Sequence, residues 1–506
     1  MNTYILFALA MIPILWLILS LGASLLEAHI SALSVLLITL VLALLVWKMP
    51  ALDAATAALE GAALGFWPIL IVIISAIFTY KLSVHTKSMD LIKEMLSGIS
   101  TDKRIQVLVL AWGFGGFLEA ISGYGTSVAI PASILIVLGF DPLFAAVICL
   151  ISNTVPTAFG AVGIAVTTLS KVTGLEVGPL SYYIALQLSV FIVLLPFVLV
   201  ALTSKSLKGL KGMFGITLVS GVAFVVPQLL AARFLGEQLP TLVGSLCSMG
   251  MTILWARLFH KDKKAAPAGR ITVGQAIIAW FPYILIFVLI ILTSPLIPPV
   301  GSALDHIKSS VVIYTGKNPS PMVFKWLTTP GTMIMISAVV GGLVQGARPV
   351  EIVKVFGATL KQMWKSSITV LSIVAVAKVM SYSGMITAIA TVLVKSTGSF
   401  FPLISPVIGT LGTFVTGSDT SSNVLFGALQ NEVAGSIHAN PYWLAAANTA
   451  GATAGKMISP QSIAVATSAT AMTGSEGSIF KRTARFCIIY VVILGILVYA
   501  GSFVFK

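Results

Sequence analysis

The sequence predicts an all-α polytopic membrane protein of about twelve transmembrane helices plus two re-entrant hairpins, arranged as two inverted structural repeats. Three observations carry the prediction: long apolar segments, basic residues gathered at segment ends, and polar interruptions that recur at a fixed spacing. Of the 506 residues, 58% are hydrophobic and 9% charged. An ordinary soluble domain carries roughly 25% charged residues. Tyr4–Leu21, Leu33–Trp47, Phe66–Tyr80, Leu180–Leu202 and Ile277–Leu292 are long and apolar. With its flanks, each can cross about 30 Å of hydrocarbon as a helix of roughly 20 residues. Backbone in lipid must bond to itself, and the alternation of a membrane barrel is absent, which leaves helices.

Read in order, full crossings are expected near 4–25, 31–48, 64–82, 142–170, 179–203, 212–234, 238–258, 274–296, 330–347, 366–382, 441–470 and 483–505. The apolar segments 105–139 and 402–437 are interrupted midway by Gly, Ser and Thr, as hairpins that enter and leave on one side would be. The +14 charge does not form a nucleic-acid patch, because its residues sit at span ends. On this topology one face carries twenty Lys and Arg and the other eight, which makes the first cytoplasmic and puts both termini outside. No Lys or Arg precedes Lys48, so Tyr4–Leu25 lacks a signal peptide's basic region and reads as a retained first helix. Cys149, Cys247 and Cys487 lie in apolar spans, where a thiol behaves as a small hydrophobe. Neither a disulfide framework nor metal-ligand spacing is visible, and no cofactor is expected.

The repeat is the most informative feature. Trp67 to Phe117 and Trp364 to Phe414 are each fifty residues apart. Phe114-Gly-Gly-Phe117 matches Leu411-Gly-Thr-Phe414. Pro142-Leu-Phe-Ala-Ala leads to Asn153-Thr154 as Pro441-Tyr-Trp-Leu-Ala leads to Asn448-Thr449, and Ile164-Ala-Val answers Ile463-Ala-Val. The offset stays near 295–299 throughout. Residues 1–205 (hairpin 105–139, broken helix 142–170) and 273–506 (hairpin 402–437, broken helix 441–470) are therefore two copies. A two-helix connector at 206–272 joins them. An odd number of crossings per copy inverts the second, the pattern of secondary transporters.

Each copy offers a polar tip followed by a helix broken near its centre. The first tip is Glu119-Ala-Ile-Ser-Gly-Tyr-Gly-Thr126, and the first break Ser152-Asn-Thr-Val-Pro156. Their counterparts are Gly417-Ser-Asp-Thr-Ser-Ser-Asn423 and Asn448-Thr-Ala-Gly-Ala-Thr-Ala-Gly-Lys456. Unwound backbone at membrane depth is tolerated only beside protein or water. Half-helix N-termini there present free N–H groups that suit a carboxylate. Small-residue helix packing accounts for Gly341-Gly342, but not for six consecutive polar residues from Ser418 to Asn423. Charges inside spans are costly and mark function by default. Glu119 and Asp419 occupy comparable hairpin positions, suited to binding and releasing a proton. Lys378 is placed with them, a purely structural ion pair being its alternative. Lys456 suits attraction of an anion, and Asp141 reads as a turn and cap residue.

Four runs carry a family resemblance: Gly115-Gly-Phe-Leu-Glu-Ala-Ile-Ser-Gly-Tyr-Gly125, Asn153-Thr-Val-Pro-Thr-Ala-Phe-Gly-Ala161, Thr416-Gly-Ser-Asp-Thr-Ser-Ser-Asn423 and Ala447-Asn-Thr-Ala-Gly-Ala-Thr-Ala-Gly-Lys-Met-Ile-Ser-Pro-Gln-Ser462. They resemble the bacterial L-lactate permease family, within the ion-transporter superfamily, and the likeness extends over essentially the whole chain. Ser127 and Val155 depart from the family pattern, where Pro and Ala are expected. The resemblance implies import of L-lactate, D-lactate and glycolate across the bacterial plasma membrane by proton symport. On that reading Asn153, Thr154, Asn448 and Thr449 hold the substrate's oxygens, with Lys456 attracting it. Ser122, Gly123, Tyr124, Gly125, Thr126, Thr420, Ser421, Ser422, Asn423, Ser459 and Gln461 complete the site. Glu119, Asp419 and Lys378 handle the proton. The rival readings are a sodium-coupled or exchange-type carboxylate carrier and an anion channel. A membrane enzyme would need a nucleophile–base pair or metal cluster, and the spans display neither.

Overall fold

A computed structural model describes residues 2–22, 25–97, 99–123, 125–260, 271–293, 297–317, 319, 321–472 and 475–505. Among them are 11 helices long and apolar enough to cross a membrane. The only regular sheet among the described residues is a ribbon of Lys308–Val311 against Met322–Lys325. The first expected span runs from Thr3 to Gly22, and that at 330–347 is the 15-residue helix Pro330–Val344. The spans expected at 64–82 and 366–382 belong to two 35-residue runs, Ala51–His85, which is kinked at Trp67, and Pro349–Ser383. Met385–Thr397, a helix that the sequence reading did not assign, continues through Gly398–Phe400 into Phe401–Thr416. Its Lys395, Ser396, Thr397 and Gly398 dilute the apolar signal there.

Two helical hairpins stand out. The first pairs Lys103–Ile121, which is almost wholly buried within the protein, with Thr126–Val137. The second pairs Phe401–Thr416 with Asp419–Ser436. Each is followed by an interrupted helix. Pro142–Ser152 gives way to a 3₁₀ turn at Val155–Phe159 and then to Gly160–Thr173. Pro441–Lys456 is followed by Pro460–Ala469. The second interruption therefore falls at Met457–Ser459, not within Asn448–Lys456. Pro460 explains the displacement, because it lacks an N–H and disfavours helical backbone in the residue before it. Asp141 and Asn440 cap the two interrupted helices alike, their side chains accepting from Phe144 N and from Tyr442 N.

The interrupted helices and hairpins pack on each other and on Val177–Thr203, Phe214–Phe234, Pro240–Phe259 and Glu476–Val504. Ala28–Leu45, Ala51–His85, Pro330–Val344 and Pro349–Ser383 form a second packed group. Gly341 and Gly342 belong to it, closing on Pro282 and on Leu82.

Small residues decide how close the helices come, since lipid supplies no hydrophobic drive for their association. A Cβ on Gly451 would overlap the Pro406 carbonyl, and one on Gly455 the Thr410 carbonyl. Thr410 Oγ1 donates to both Pro406 O and Gly451 O at 2.8 Å, so the approach also carries hydrogen bonds. Gly451→Val should cost about 1–3 kcal/mol or more through overpacking. It should lower the melting temperature in detergent or abolish a monodisperse peak. Gly435→Ala, where a Cβ meets nothing within 4 Å, should change neither.

Candidate functional site

The two hairpin tips meet around a cavity of about 80 Å³. By the same measure one water needs roughly 10–15 Å³, so the space suits several waters or one small organic ion. The first tip lends Glu119, Gly123 and Gly125, and the second Gly417, Ser418, Asp419 and Thr420. The interrupted helices complete the wall with Thr157, Gly160, Ala161, Ile164 and Ala165 on one side, and Lys456, Gln461, Ser462 and Val465 on the other.

Local chemistry shapes each tip. Gly123 (φ 60°) and Gly125 (φ 82°) take left-handed backbone, which lets the chain reverse between the two arms. Ser122 and Thr126 bond through their hydroxyls across that turn, and Thr126 Oγ1 donates to Gly123 O at 2.8 Å. Gly417 (φ 70°) ends the first arm of the second hairpin, packed against Gln461. Ser418 then caps the next helix, its Oγ accepting from Ser421 N at 3.2 Å.

Three ionisable side chains face this space. Glu119 is 2% exposed; its Oε2 accepts from Ser127 Oγ, and a Cβ on Gly160 would stand 2.7 Å from its Oε1. Asp419, 3% exposed, accepts from Thr413 Oγ1 at 3.1 Å through Oδ1, while its Oδ2 is buried with no partner. Lys456 Nζ donates to Gly417 O at 2.9 Å, which anchors the ammonium at a helix C-terminus. One basic and two acidic side chains are thus gathered around one small cavity.

A sequence profile of the L-lactate permease family matches residues 6–505. The chain belongs to the L-lactate permease family. It is 52% identical over 439 residues to an L-lactate permease of Streptococcus iniae, covering 87% of this chain and 93% of that one. To the glycolate permease GlcA of Escherichia coli K12 it is 35% identical over 536 residues, covering 98% and 95%. An L-lactate permease of Bacillus subtilis is also 35% identical, with 98% and 96% covered. The solved structure of Neisseria gonorrhoeae MtrF, described as illuminating a class of antimetabolite efflux pumps, shares the fold with a TM-score of 0.50. It covers 92% of this chain and 86% of its own at 13% identity. The protein is thus a multi-pass membrane permease by family.

Not every expected residue of this family member reaches the cavity. Asn423 Oδ1 accepts from Asn448 Nδ2 and from Thr449 Oγ1, both at 3.0 Å, and Asn423 Nδ2 donates to Ala165 O at 3.0 Å. Gln430 Nε2 donates to Asn448 Oδ1 at 3.3 Å, so these amides are occupied with one another behind the wall. Ser422 Oγ donates to Gly409 O, and Ser459 Oγ to Ser462 Oγ, each at 2.8 Å. Asn153 and Thr154 are buried outside the lining, although Asn153 O accepts from the cavity residue Thr157 at 2.6 Å. Both polar atoms of the Asn153 side chain lack partners. Tyr124 lies outside the described residues, as do Lys261, Lys263, Lys264, Arg270 and Lys506, which enter the charge reading.

Lys378 is placed elsewhere, forming a 2.9 Å ion pair with buried Glu60, whose Oε1 also accepts from Tyr382 OH at 2.7 Å. Glu60 escaped the sequence reading because the span was begun at residue 64. A carboxylate within Ala51–Leu64, read as part of the span, would have been the signal. Thr157, Gly160 and Ser462 were also missed, although all three lie inside or beside the quoted motifs. Removing one partner of a buried pair leaves an uncompensated charge, a loss of about 3–5 kcal/mol. Lys378→Met should lower thermal stability accordingly, and adding Glu60→Gln should recover most of it. Gradient-driven uptake should survive in that double variant, measured as initial rates in proteoliposomes.

Proposed function

We propose that this permease imports L-lactate, D-lactate and glycolate across the bacterial plasma membrane in symport with protons. The observation that carries the reading is the grouping of Lys456, Glu119 and Asp419 around one cavity between the hairpin tips. Relatives named for L-lactate and glycolate support the substrate class. The bound carboxylate sits near Lys456, with hydroxyls of Thr157, Thr420 and Ser462 within the same wall to meet its oxygens. Asn153, Thr154, Asn423, Asn448 and Thr449 hold that wall in place.

Charge parity supplies the coupling. Lys456 offsets the substrate anion, which leaves two carboxylates in a site that must change sides. Moving one uncompensated charge against the potential costs about 2.3 kcal/mol per 100 mV. One proton, on Asp419 or Glu119, offsets the negative charge that the substrate brings, so the loaded site carries no more charge than the empty one. The unpartnered Oδ2 of Asp419 can carry the proton and turn it toward a bound carboxylate. A lysine ammonium beside the same space disfavours a sodium ion there, since like charges repel strongly at low dielectric.

The same reading takes 1–205 and 273–506 as inverted copies around the connector 206–272, with both hairpins re-entrant and both termini outside. Support comes from the paired 35-residue runs and the matching Asp141 and Asn440 caps. Alternating access then moves the hairpin-bearing group against the group built on Ala51–His85 and Pro349–Ser383.

The test is radiolabelled L-lactate uptake into proteoliposomes under an inward proton gradient, with and without a protonophore. Wild type should accumulate label saturably, be competed by glycolate, and be indifferent to replacement of sodium by choline. Asp419→Asn and Glu119→Gln should each lower gradient-driven accumulation at least tenfold. Normal accumulation in both variants would sink the proton role, and absence of lactate uptake in wild type would sink the substrate.

A further inference from the structure

A second, larger space of about 630 Å³ lies beside the site, lined among others by Trp67, Val162, Thr167, Lys171, Glu237 and Lys325. No residue lines both spaces, yet they alternate along one segment: Ala161, Ile164 and Ala165 face the small cavity, while Val162 and Thr167 face the larger. The segment is therefore a wall one chain thick, with a vestibule on its far side. Its backbone is unusual. Ala161 (φ 43°), Val162 (φ 56°) and Gly163 (φ 74°) are three consecutive left-handed residues, two of which carry a Cβ. Such a run persists only where its surroundings hold it.

Glu237 is the group that holds it. It lies in the short link between Phe214–Phe234 and Pro240–Phe259, and is 6% exposed. Its backbone closes on Gly163 so tightly that a Cβ there would overlap the Glu237 carbonyl oxygen and stand 3.0 Å from its Cγ. Its side chain reaches past the turn: Oε1 accepts from Thr167 Oγ1 at 3.0 Å and from Gln238 Nε2 at 3.1 Å. The link thus grips the chain where the left-handed turn ends, at the glycine, and again one helical turn beyond.

We infer that Glu237 is a positioning residue that latches the Ala161–Gly163 turn shut, and that this latch is the barrier between the vestibule and the substrate cavity. The inference rests on the cavity being the transport site. Small anions and protons that collect in the vestibule reach Lys456 and the two carboxylates when the Glu237 contacts with Gly163 and Thr167 open. Two other charged groupings line the vestibule, Lys171 and the 2.7 Å pair of Lys325 with Asp305. Burial raises the Glu237 carboxyl above the usual carboxylate range, which favours its neutral form. Gln is the close isostere of that form and can keep accepting from Thr167 and Gln238; Ala can do neither.

The experiment uses full-length protein with Cys149, Cys247 and Cys487 replaced by Ser, and a reporter at Ala161→Cys. Labelling by a charged, membrane-impermeant thiosulfonate is timed from each face of proteoliposomes. Glu237→Ala should speed labelling at least fivefold from one face only, Thr167→Val should speed it less, and Glu237→Gln should stay within twofold of the parent. Unchanged rates in Glu237→Ala and Thr167→Val would overturn the latch, as would equal acceleration in Glu237→Gln and Glu237→Ala. Thr167→Val removes only one donor, so it remains a fair test if Glu237→Ala fails to fold. Protection of the reporter by lactate is scored separately. Its loss with the labelling pattern intact would reject the substrate reading and leave the latch standing.

Discussion

A lysine ammonium in a membrane protein needs a partner more than it needs a place, and Lys456 finds one in the carbonyl of Gly417. That carbonyl ends a helix, so it carries the negative end of a macrodipole as well as a free lone pair. The bond joins the tip of the second hairpin to the end of Pro441–Lys456. It also fixes where the positive charge stands relative to Asp419, two residues beyond Gly417. The helix interruptions around the cavity are tolerable because their loose backbone groups and these charges share one enclosed space. Elsewhere in the bilayer, each unsatisfied group would cost several kcal/mol.

Much of this was visible in the sequence because it is written in local pattern. Apolar runs set the helices, and Gly-Tyr-Gly and Gly-Ser-Asp-Thr marked the two tips. Lys456 was distinctive because it sits within a polar motif. What escaped depended on partners far apart in the chain. Glu60 and Lys378 meet only through tertiary packing, so nothing local separates a structural pair from a working charge. Asn423, Asn448 and Thr449 have the right chemistry for holding a carboxylate, but they satisfy one another first. Composition cannot tell an amide that is free from one already occupied. The run Asn448–Lys456, expected as the second interruption, stays helical, and its Gly451 and Gly455 permit close approach between helices.

The two sides of the cavity are not chemically equivalent. On the second-hairpin side Asn448 is locked by Asn423 and Gln430, whereas the side chain of Asn153 on the other has no partner for either polar atom. The Asn153 side also carries the left-handed turn, where residues with a Cβ cost roughly 1–2 kcal/mol each. The left-handed turn stands between the cavity and the vestibule, while unpartnered polar atoms occur on both sides of the cavity, at Asn153 and at Asp419 Oδ2. The second half provides the lysine and the firmer amide network. An arrangement with one rigid face and one poised face suits a barrier that has to open on one side of a bound ion.

The hydrogen bonds connect these faces. Asp419 stands at the start of the helix Asp419–Ser436, and Asn423, one turn on, donates to Ala165 O on the wall segment. Ala165 lies two residues from Gly163, against which Glu237 closes. Farther along the same pair of helices, Asn431 Nδ2 donates to Thr173 O at 3.2 Å, so the two are tied at both ends. Any shift of the second hairpin that follows a change of charge at Asp419 must therefore break the Asn423–Ala165 bond or carry Gly160–Thr173 with it. Breaking it would strand an amide that is fully buried, at about 1–3 kcal/mol, so joint movement is the cheaper course. Joint movement drags the left-handed turn against Glu237. On the proposed reading, protonation at the site and release at the wall are therefore parts of one displacement.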